Sequence, residues 1–309
     1  MPAVEQRDQT LLLNVAYRML GSVSEAEDAV QEAFARWYSL PEERRHEVQT
    51  PTAWLVTTVS RICLDILGSA RNKRESYVGE WLPEPVPAAG WTSIVTDRSS
   101  RDPADAVSLD ESLHMALLIV LEAMTPPERV AFVLHDVFGY QFDEIAEIVG
   151  RSPQACRQLA STGRRHIRDQ RHRQVDAGLH AQVIVAFKEA WEVGDLAGLV
   201  QQLDPDVVAV TDGGGLVSAS VEPISGAIEV ARYFIDVHTR QPDLSILVSS
   251  VNALPGIIAL DGSGAVIAAV SIGTHDGRVD HIWVMRNPQK LTAWKEQRRQ
   301  EAPDLARGG

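Results

Sequence analysis

The sequence has few of the features that mark secreted and membrane proteins. Its 309 residues include two cysteines, Cys63 and Cys156, which are too few for a disulfide framework and suit a reducing compartment. The N-terminus lacks the basic start and apolar run of a signal peptide. No apolar stretch approaches the ~18 residues that a membrane span requires. We therefore expect a cytoplasmic protein that makes no membrane contact.

Basic residues are also scarce. Lysine and arginine total 29 against 42 acidic residues, which leaves a net charge of −13. Over the whole chain this argues against a nucleic-acid-binding protein, because phosphate binding needs clustered cations. An apolar content of 45% indicates folded domains, and the length predicts two or three of them at ~100–200 residues each.

The hydrophobic pattern divides the chain into three folded parts. Residues 1–77 and 106–175 carry apolar residues at helical spacing, and the Pro/Gly-rich stretch 78–105 between them is interpreted as a linker. Residues 178–302 combine helices with Val- and Ile-rich runs that are typical of strands. The predicted strands are 206–211, 244–253, 256–260, 264–272 and 278–286. The predicted fold class is multidomain, with two all-α modules followed by an α+β domain.

A helix predicted over residues 25–37 carries an acidic stripe. Glu25, Asp28 and Glu32 form this stripe, and Gln31 lies near its edge. Such a stripe is either an ordinary solvated surface or a docking surface for a basic partner, and the residues alone leave both interpretations open.

A second helix of this module, predicted over residues 53–67, places a large aromatic residue on its polar arc. Trp54 lies there near Thr58, Arg61 and Asp65, a combination that suits stacking against an unpaired base. An equal alternative is that Trp54 packs under a neighbouring loop. Four cations and one acid over residues 61–74 give a local net charge of +3.

The second helical module has the pattern of a helix-turn-helix DNA reader. A short amphipathic helix ends at Gly150, and Ser152 caps the next helix at once. Residues 151–173 carry seven arginines and one aspartate, a net charge of +6 before histidines. The exposed face of this helix is predicted to contact bases and phosphates through Gln154, Arg157, Gln158, Ser161, Arg164, Arg165 and Arg168. A merely solvated basic helix is the alternative.

The C-terminal domain offers isolated candidates for chemistry. Asp212, His238 and His281 are residue types that transfer protons. Asp212 begins a Gly-rich run that is also explained as a turn between strands. The sequence contains no nucleophile motif, metal-ligand cluster or phosphate loop. We therefore predict no enzyme activity, no metal and no cofactor.

The motifs of the two helical modules together resemble one family. They are Glu27-Asp-Ala-Val-Gln-Glu-Ala-Phe34, Pro51-Thr-Ala-Trp-Leu55 and Asp143-Glu-Ile-Ala-Glu-Ile-Val-Gly150. The arrangement resembles the extracytoplasmic-function (ECF) RNA polymerase sigma factors over essentially the whole chain. Three further motifs are similar to those of the subgroup with a C-terminal SnoaL-like domain, the sigma factor J type: Trp81-Leu-Pro-Glu-Pro85, Asp212-Gly-Gly-Gly215 and Asn287-Pro-Gln-Lys-Leu291.

This resemblance implies a role for each part of the chain. Residues 1–77 would be sigma region 2, residues 106–175 would be sigma region 4 and residues 178–302 would be a regulatory SnoaL/NTF2-like cone. The implied partners are promoter DNA, read at its −10 and −35 elements, and core RNA polymerase, contacted at its β′ clamp helices and β flap. The cone is expected to pack against the sigma modules and to tune their access to polymerase.

The resemblance also assigns individual residues. The polymerase contacts would be Asp28, Gln31, Glu32 and Phe34. The −10 contacts would be Trp54, Thr58, Arg61, Asp65 and Arg71. The regulatory contacts would be Trp81, Pro83, Glu84, Asp212, Gly213, Gly214, Asn287 and Pro288. The sequence departs from the family motifs at Leu216, where lysine is usual, and at Gln289, where aspartate is usual.

Two other functions remain open from the sequence. One is a dimeric transcription factor that binds DNA without polymerase. The other is a SnoaL-type isomerase or cyclase fused to a DNA-binding module. A fold alone does not establish an enzyme, because one fold hosts many functions.

Overall fold

The computed structural model describes residues 3–75, 77–87, 114–171, 177–217, 220 and 222–295. Its helices are α1 (Ala3–Leu20), α2 (Val23–Ser39), α3 (Glu42–Glu47), α4 (Pro51–Glu75), α5 (Met115–Glu122), α6 (Pro126–Phe132), α7 (Phe142–Val149), α8 (Pro153–Arg171), α9 (Ala177–Glu192), α10 (Leu196–Gln202) and α11 (Ala227–Arg240). Its strands are β1 (Leu203–Asp212), β2 (Ile224–Ser225), β3 (Ser245–Val251), β4 (Leu254–Leu260), β5 (Val266–His275) and β6 (Arg278–Met285). A π-helical turn, Val133–Val137, follows α6. Within these described ranges, no helix combines the length and apolarity needed to cross a membrane.

Hydrogen bonds at the helix ends define two helix starts in the second module, of which the one at Ser152 was predicted. The Glu128 carboxylate accepts from the Thr125 backbone amide at 2.9 Å, which completes a capping box at the start of α6. The Ser152 hydroxyl accepts from the Ala155 amide at 3.2 Å and caps α8. Gly150, at φ +69°, ends α7 in the left-handed conformation, so the chain turns directly into α8.

The chain divides into two compact units. The first contains residues 1–75 and 89–171. In it, α1, α2 and α4 pack together, and α8 packs on α6 and α7. The packed face of α8 consists of small residues, since Cys156, Ala160 and Gly163 are buried. Helix α4 also contacts α6 and α7, so the two helical modules share one unit.

The second unit contains residues 76–88 and 172–309, so the first part of the predicted linker groups with the α+β domain. Its six-stranded sheet has the order β2-β1-β6-β5-β4-β3. Strands β1 and β6 are parallel, with Ala209 opposite Ile282, and the other pairs are antiparallel. Five of the strands were predicted, whereas the two-residue strand β2 was not.

Aromatic residues of the helices fill the interior of this second unit. Phe234 of α11 lies against Phe187 and Trp191 of α9, with ring centroids 5.2 and 4.7 Å apart. The Trp191 indole donates to the Phe234 carbonyl at 2.9 Å, which satisfies its buried N–H. Alternate residues of β1, β4, β5 and β6 pack on this cluster, as expected for a sheet with one helix-covered face.

Candidate nucleic-acid interface and regulatory contact

Helix α8 presents the polar face that the sequence predicted. Its six exposed members are Gln154, Arg157, Gln158, Ser161, Arg165 and Arg168. The Arg157 guanidinium lies over the Phe142 ring at 5.4 Å, which holds the first turn of α8 against α7. Guanidinium and carboxamide groups at the start of a recognition helix match the donor and acceptor pattern of base edges in the major groove.

Arg164 differs from the other predicted members of this face. Its guanidinium donates to the Asp136 carboxylate at 2.8 Å, and the Asp136 side chain is only 2% exposed. A buried carboxylate that loses its cation is strongly destabilised, so this pair has a structural role within the second module. A helical wheel cannot reveal it, because Asp136 lies in the π-helical turn and not on α8.

Helix α4 places a stacking surface at one end of the first module. Trp54 is half-buried and packs against Trp37 of α2, with ring centroids 5.2 Å apart and planes inclined by 55°. Thr58 is half-buried beside it, and its hydroxyl donates to the Trp54 carbonyl at 2.9 Å. Arg61 and Asp65 are exposed further along the helix.

The remaining −10 candidate is described only in part. Arg71 lies in the last turns of α4, and its side chain is outside the described part of the chain. Trp54, Thr58, Arg61 and Asp65 share one helix. Trp37 completes the aromatic surface, and it was not predicted because its partner Trp54 belongs to another helix.

Helix α2 keeps its acidic stripe in solvent. Asp28, Gln31 and Glu32 are exposed, and Phe34 is half-buried against Tyr38 with ring centroids 6.3 Å apart. Glu32 pairs with Arg36 at 2.8 Å, but both side chains are about half exposed, so this pair adds little stability. The stripe therefore remains accessible for contacts with a partner.

Residues 77–87, here called the strap, lie against the rest of the second unit. The Asn252 amide donates to the Val86 carbonyl at 2.8 Å, and Pro87 forms an isolated bridge with Val251. The Trp294 indole donates to the Pro85 carbonyl at 2.8 Å. Pro83 and Glu84, both predicted regulatory residues, are buried in this segment.

A buried ion pair joins the strap to the end of β1. The Lys290 ammonium donates to the Asp212 carboxylate at 2.8 Å and to the Leu82 carbonyl at 2.7 Å. The Leu82 amide donates back to Asp212 at 3.0 Å. Asp212 is fully buried and Lys290 is 8% exposed. The Trp81 ring lies 4.2 Å from the Lys290 nitrogen, so the cation is enclosed by an indole, a carboxylate and a carbonyl.

Tyr77 extends this contact to the chain after β6. Its hydroxyl donates to Asp212 at 2.6 Å and accepts from the Asn287 side chain at 2.9 Å. Burial raises the pKa of Tyr77 well above its usual value, and the adjacent Asp212 carboxylate raises it further. We call Tyr77, Leu82, Asp212, Asn287 and Lys290 the strap lock.

The Gly-rich run after Asp212 is a turn, and it also serves the strap lock. Gly214 and Gly215 have φ of +61° and +69°, values that favour glycine. The Gly214 amide donates to Asp212 at 3.0 Å, and Gly213 is buried. The Asp212 carbonyl accepts from the Asn287 amide at 2.9 Å, which brings the two motifs together.

The two departures from the family motifs lie at exposed positions. Leu216 is 55% exposed. Gln289 is exposed too, and its backbone amide, not its side chain, donates to Asn287 at 3.0 Å. Pro288, the last regulatory candidate, is half-buried, and its carbonyl accepts from Lys295 at 3.0 Å. Tyr77 and Lys290 were not predicted from the sequence, although Lys290 lies inside the motif Asn287–Leu291.

The proton-transfer candidates do not form one site. The Asp212 carboxylate is already bonded within the strap lock, and His238 lies on α11. His281 is half-buried on β6, where its ring stacks on Trp283 with centroids 5.5 Å apart. A cavity of about 30 Å³ lies among Trp191, Phe234 and neighbouring side chains. That volume holds one or two water molecules, far below the ~300 Å³ of a small-molecule pocket.

Comparisons with known proteins agree with these features. Residues 6–73 match the family Sigma-70 region 2, and residues 114–167 match Sigma-70, region 4. The chain is 37% identical over 306 residues to the ECF RNA polymerase sigma factor SigJ of Mycobacterium tuberculosis, covering 94% of this chain and 93% of that protein. It is 35% identical over 282 residues to the sigma factor SigI of the same species, covering 91% of each chain.

A solved structure extends the likeness to the fold. The crystal structure of M. tuberculosis SigJ superposes with a TM-score of 0.70 at 34% identity, covering 94% of this chain and 98% of that one. The helical modules and the C-terminal α+β domain are therefore both accounted for by one family architecture. The chain belongs to the ECF family of RNA polymerase sigma factors.

Proposed function

We propose that this sigma factor joins core RNA polymerase and directs it to promoters through two separate DNA-reading faces. The observation that carries the proposal is the exposed face of α8. Guanidinium, carboxamide and hydroxyl groups lie on this face, and α8 is the capped second helix of a helix-turn-helix. Gln154 and Arg157, in the first turns, suit base edges of the −35 element. Arg165 and Arg168, further along, suit phosphates.

The face of α4 supports the role at the −10 element. Opening a duplex costs a few kcal/mol for each unstacked base, and aromatic surfaces recover about 1–3 kcal/mol per stacked base. Trp54, supported by Trp37, supplies such a surface, and Arg61 supplies an adjacent cation. The exposed Asp28, Gln31 and Glu32 of α2, with Phe34, would bind the β′ clamp helices, and the second module would contact the β flap.

The strap lock supports a regulatory role for the cone. Residues that follow region 2 would run through polymerase in the holoenzyme, yet residues 77–87 are held on the cone by Asp212 and Lys290. One segment cannot occupy both places, so docking of the strap on the cone competes with its path in polymerase. The Asp212 carboxylate is already paired with Lys290, which supports this role over catalysis.

Transcription in vitro tests the proposal. Core polymerase with the full chain is applied to fragments of the source genome, and RNA 5′ ends are mapped against core polymerase alone. We expect new start sites that share −35 and −10 elements. Arg165→Ala lowers their use, whereas Arg232→Ala, an exposed arginine on α11, leaves it unchanged. The absence of new start sites would reject the sigma-factor function.

The same assay tests regulation by the cone. Asp212→Asn and Trp81→Ala each weaken the strap lock, so we expect more transcript at a fixed concentration of sigma factor. Lys295→Met, which changes an exposed lysine near the lock, serves as the control. Output that neither lock variant changes would contradict the regulatory role and leave the sigma-factor function intact.

A further inference from the structure

Three side chains from three elements meet beside the first turns of α8. The Phe142 ring, at the start of α7, stacks on the His135 ring with centroids 3.9 Å apart and planes inclined by 29°. The Arg157 guanidinium of α8 lies over the same Phe142 ring at 5.4 Å. His135 belongs to the π-helical turn that precedes α7. We call His135, Phe142 and Arg157 the Phe142 cluster.

The backbone holds the histidine of this cluster in place. A carbonyl oxygen only accepts, so the Nδ1–H of His135 donates to the Tyr140 carbonyl at 2.9 Å. The Tyr140 amide in turn donates to the Leu134 carbonyl of the π-helical turn at 2.9 Å. Gly139, at φ +73°, lets the chain turn back between these two bonds. The ring that supports Phe142 is therefore fixed by its own loop.

Arg157 keeps its hydrogen-bonding groups available. Its side chain is exposed, and among the residues that the structure describes its guanidinium makes no hydrogen bond or ion pair. Arg164, two turns later on α8, differs because it donates to the buried Asp136. Stacking on an aromatic ring orients a guanidinium without using its N–H donors. Arg157 is thus positioned by Phe142 and still able to bind a planar partner.

Guanine is the base whose major-groove edge fits such a guanidinium. It presents two acceptors there, O6 and N7, and a guanidinium donates to both at once. Adenine and cytosine place an amino donor on this edge, which would face the N–H donors of Arg157. The two bonds to guanine form only in the correct orientation, so positioning Arg157 strengthens binding to guanine and not to the other bases. The Phe142 ring therefore favours discrimination between bases.

We propose that Phe142 is a positioning residue for promoter discrimination, and that the Phe142 cluster holds Arg157 for a bidentate contact with one guanine of the −35 element. This inference rests on the proposed function, because Arg157 lies on the face assigned to that element. It goes further by assigning the choice of base at one promoter position to a side chain of α7, outside the recognition helix.

Transcription from a promoter library tests the role of Phe142. Core polymerase and the full chain transcribe templates whose −35 element is randomised, each with a transcribed barcode, upstream of a start site mapped for the unmodified chain. Arg157→Ala should abolish a guanine preference at one position. Phe142→Leu removes the ring and should lower that same preference by about two- to fivefold, the factor that corresponds to an exposed cation–π contact. Phe142→Tyr keeps the ring and should retain the preference.

Two further variants separate positioning from stability. Ile148→Val trims a buried side chain of α7 and leaves the Phe142 cluster intact, so it should affect all templates alike and leave base preference unchanged. His135→Leu removes the ring behind Phe142 and should lower the same guanine preference, which decides the question where Phe142→Leu folds too poorly to transcribe.

The proposal is overturned if Phe142→Leu and His135→Leu lower transcription from all templates alike, or if no guanine preference depends on Arg157. Either result would leave the sigma-factor function intact, because the unmodified chain still directs transcription. Absence of any start site for the unmodified chain would instead reject the sigma-factor function.

Discussion

Removing the cation of the strap lock should release the strap without unfolding the cone. Lys290→Met keeps most of the side-chain volume but leaves the fully buried Asp212 without its cation. Breaking a buried pair from one side costs ~3–5 kcal/mol. Asp212 still accepts from the Tyr77 hydroxyl and the Leu82 and Gly214 amides, so we take the lower end of this range.

Amide hydrogen exchange measures how much free energy the strap loses in its contact with the cone. The Leu82 amide is bonded to Asp212 and the Asn252 amide to Val86, so both exchange when the strap leaves the cone. A loss of about 3 kcal/mol lowers their protection ~150-fold. Tyr77→Phe removes one hydrogen bond to a carboxylate, worth about 1.5 kcal/mol, and should lower protection ~10-fold.

Two comparisons make the result decisive. Lys295→Met removes a lysine whose ammonium donates to the Pro288 carbonyl at an exposed position, so strap protection should stay at the wild-type level. The amides of β5 and β6 report on the cone as a whole. The reasoning is refuted if Lys290→Met leaves the strap within about threefold of wild type, or if β5 loses as much protection as the strap.

Two further predictions concern other parts of the chain. Arg164→Met removes the cation that pairs with the buried Asp136 and should destabilise region 4 by ~3–5 kcal/mol in urea unfolding. The control Arg165→Met should leave stability unchanged and weaken only promoter binding. Equal stability of the two variants would contradict the structural role of Arg164. Burial lowers the pKa of His180, whose ring nitrogens lie 2.8 Å from the Thr274 hydroxyl and 2.9 Å from the Pro255 carbonyl. His180 therefore takes up a proton more readily in the unfolded chain than in the folded protein. The free energy of unfolding should fall as pH drops below ~6.5, by up to about 1.4 kcal/mol per pH unit. His180→Gln should flatten that slope in unfolding curves measured from pH 7.5 to 5.5.

Local signals were sufficient to predict most of the secondary structure. Proline at the start of α4, the capping box at Thr125 and the Ser152 cap act within a few residues, so the sequence displays them directly. Alternating and continuous apolar runs predicted five of the six strands. Strand β2 was missed because two residues carry no periodicity, and its pairing with Val208 and Ala209 depends on the neighbouring strand.

The candidate sites were predictable only where one helix carries them. The face of α8 follows from a helical wheel, but the diversion of Arg164 to Asp136 requires knowledge of a neighbouring element. The strap lock joins Leu82 to Lys290 across 208 positions of sequence, and no local pattern encodes such a pairing. The motif resemblance brought Trp81, Asp212 and Asn287 together, whereas Tyr77 and Lys290 emerged only from the contacts.

The strap lock combines two kinds of contact that respond differently to opening. Its Lys290 ammonium pairs with the Asp212 carboxylate and the Leu82 carbonyl, and the apolar side chains of Leu82 and Val86 are buried beside this ion pair. An apolar interface would pay about 25 cal/mol for each Å² exposed on opening, whereas separated charges recover hydration that offsets much of their lost attraction. The net charge of −13 acts in the same direction, since it disfavours DNA binding by the free chain until polymerase supplies further contacts. Contacts with polymerase and promoter then have to supply only the part of the opening cost that hydration of the separated charges does not offset.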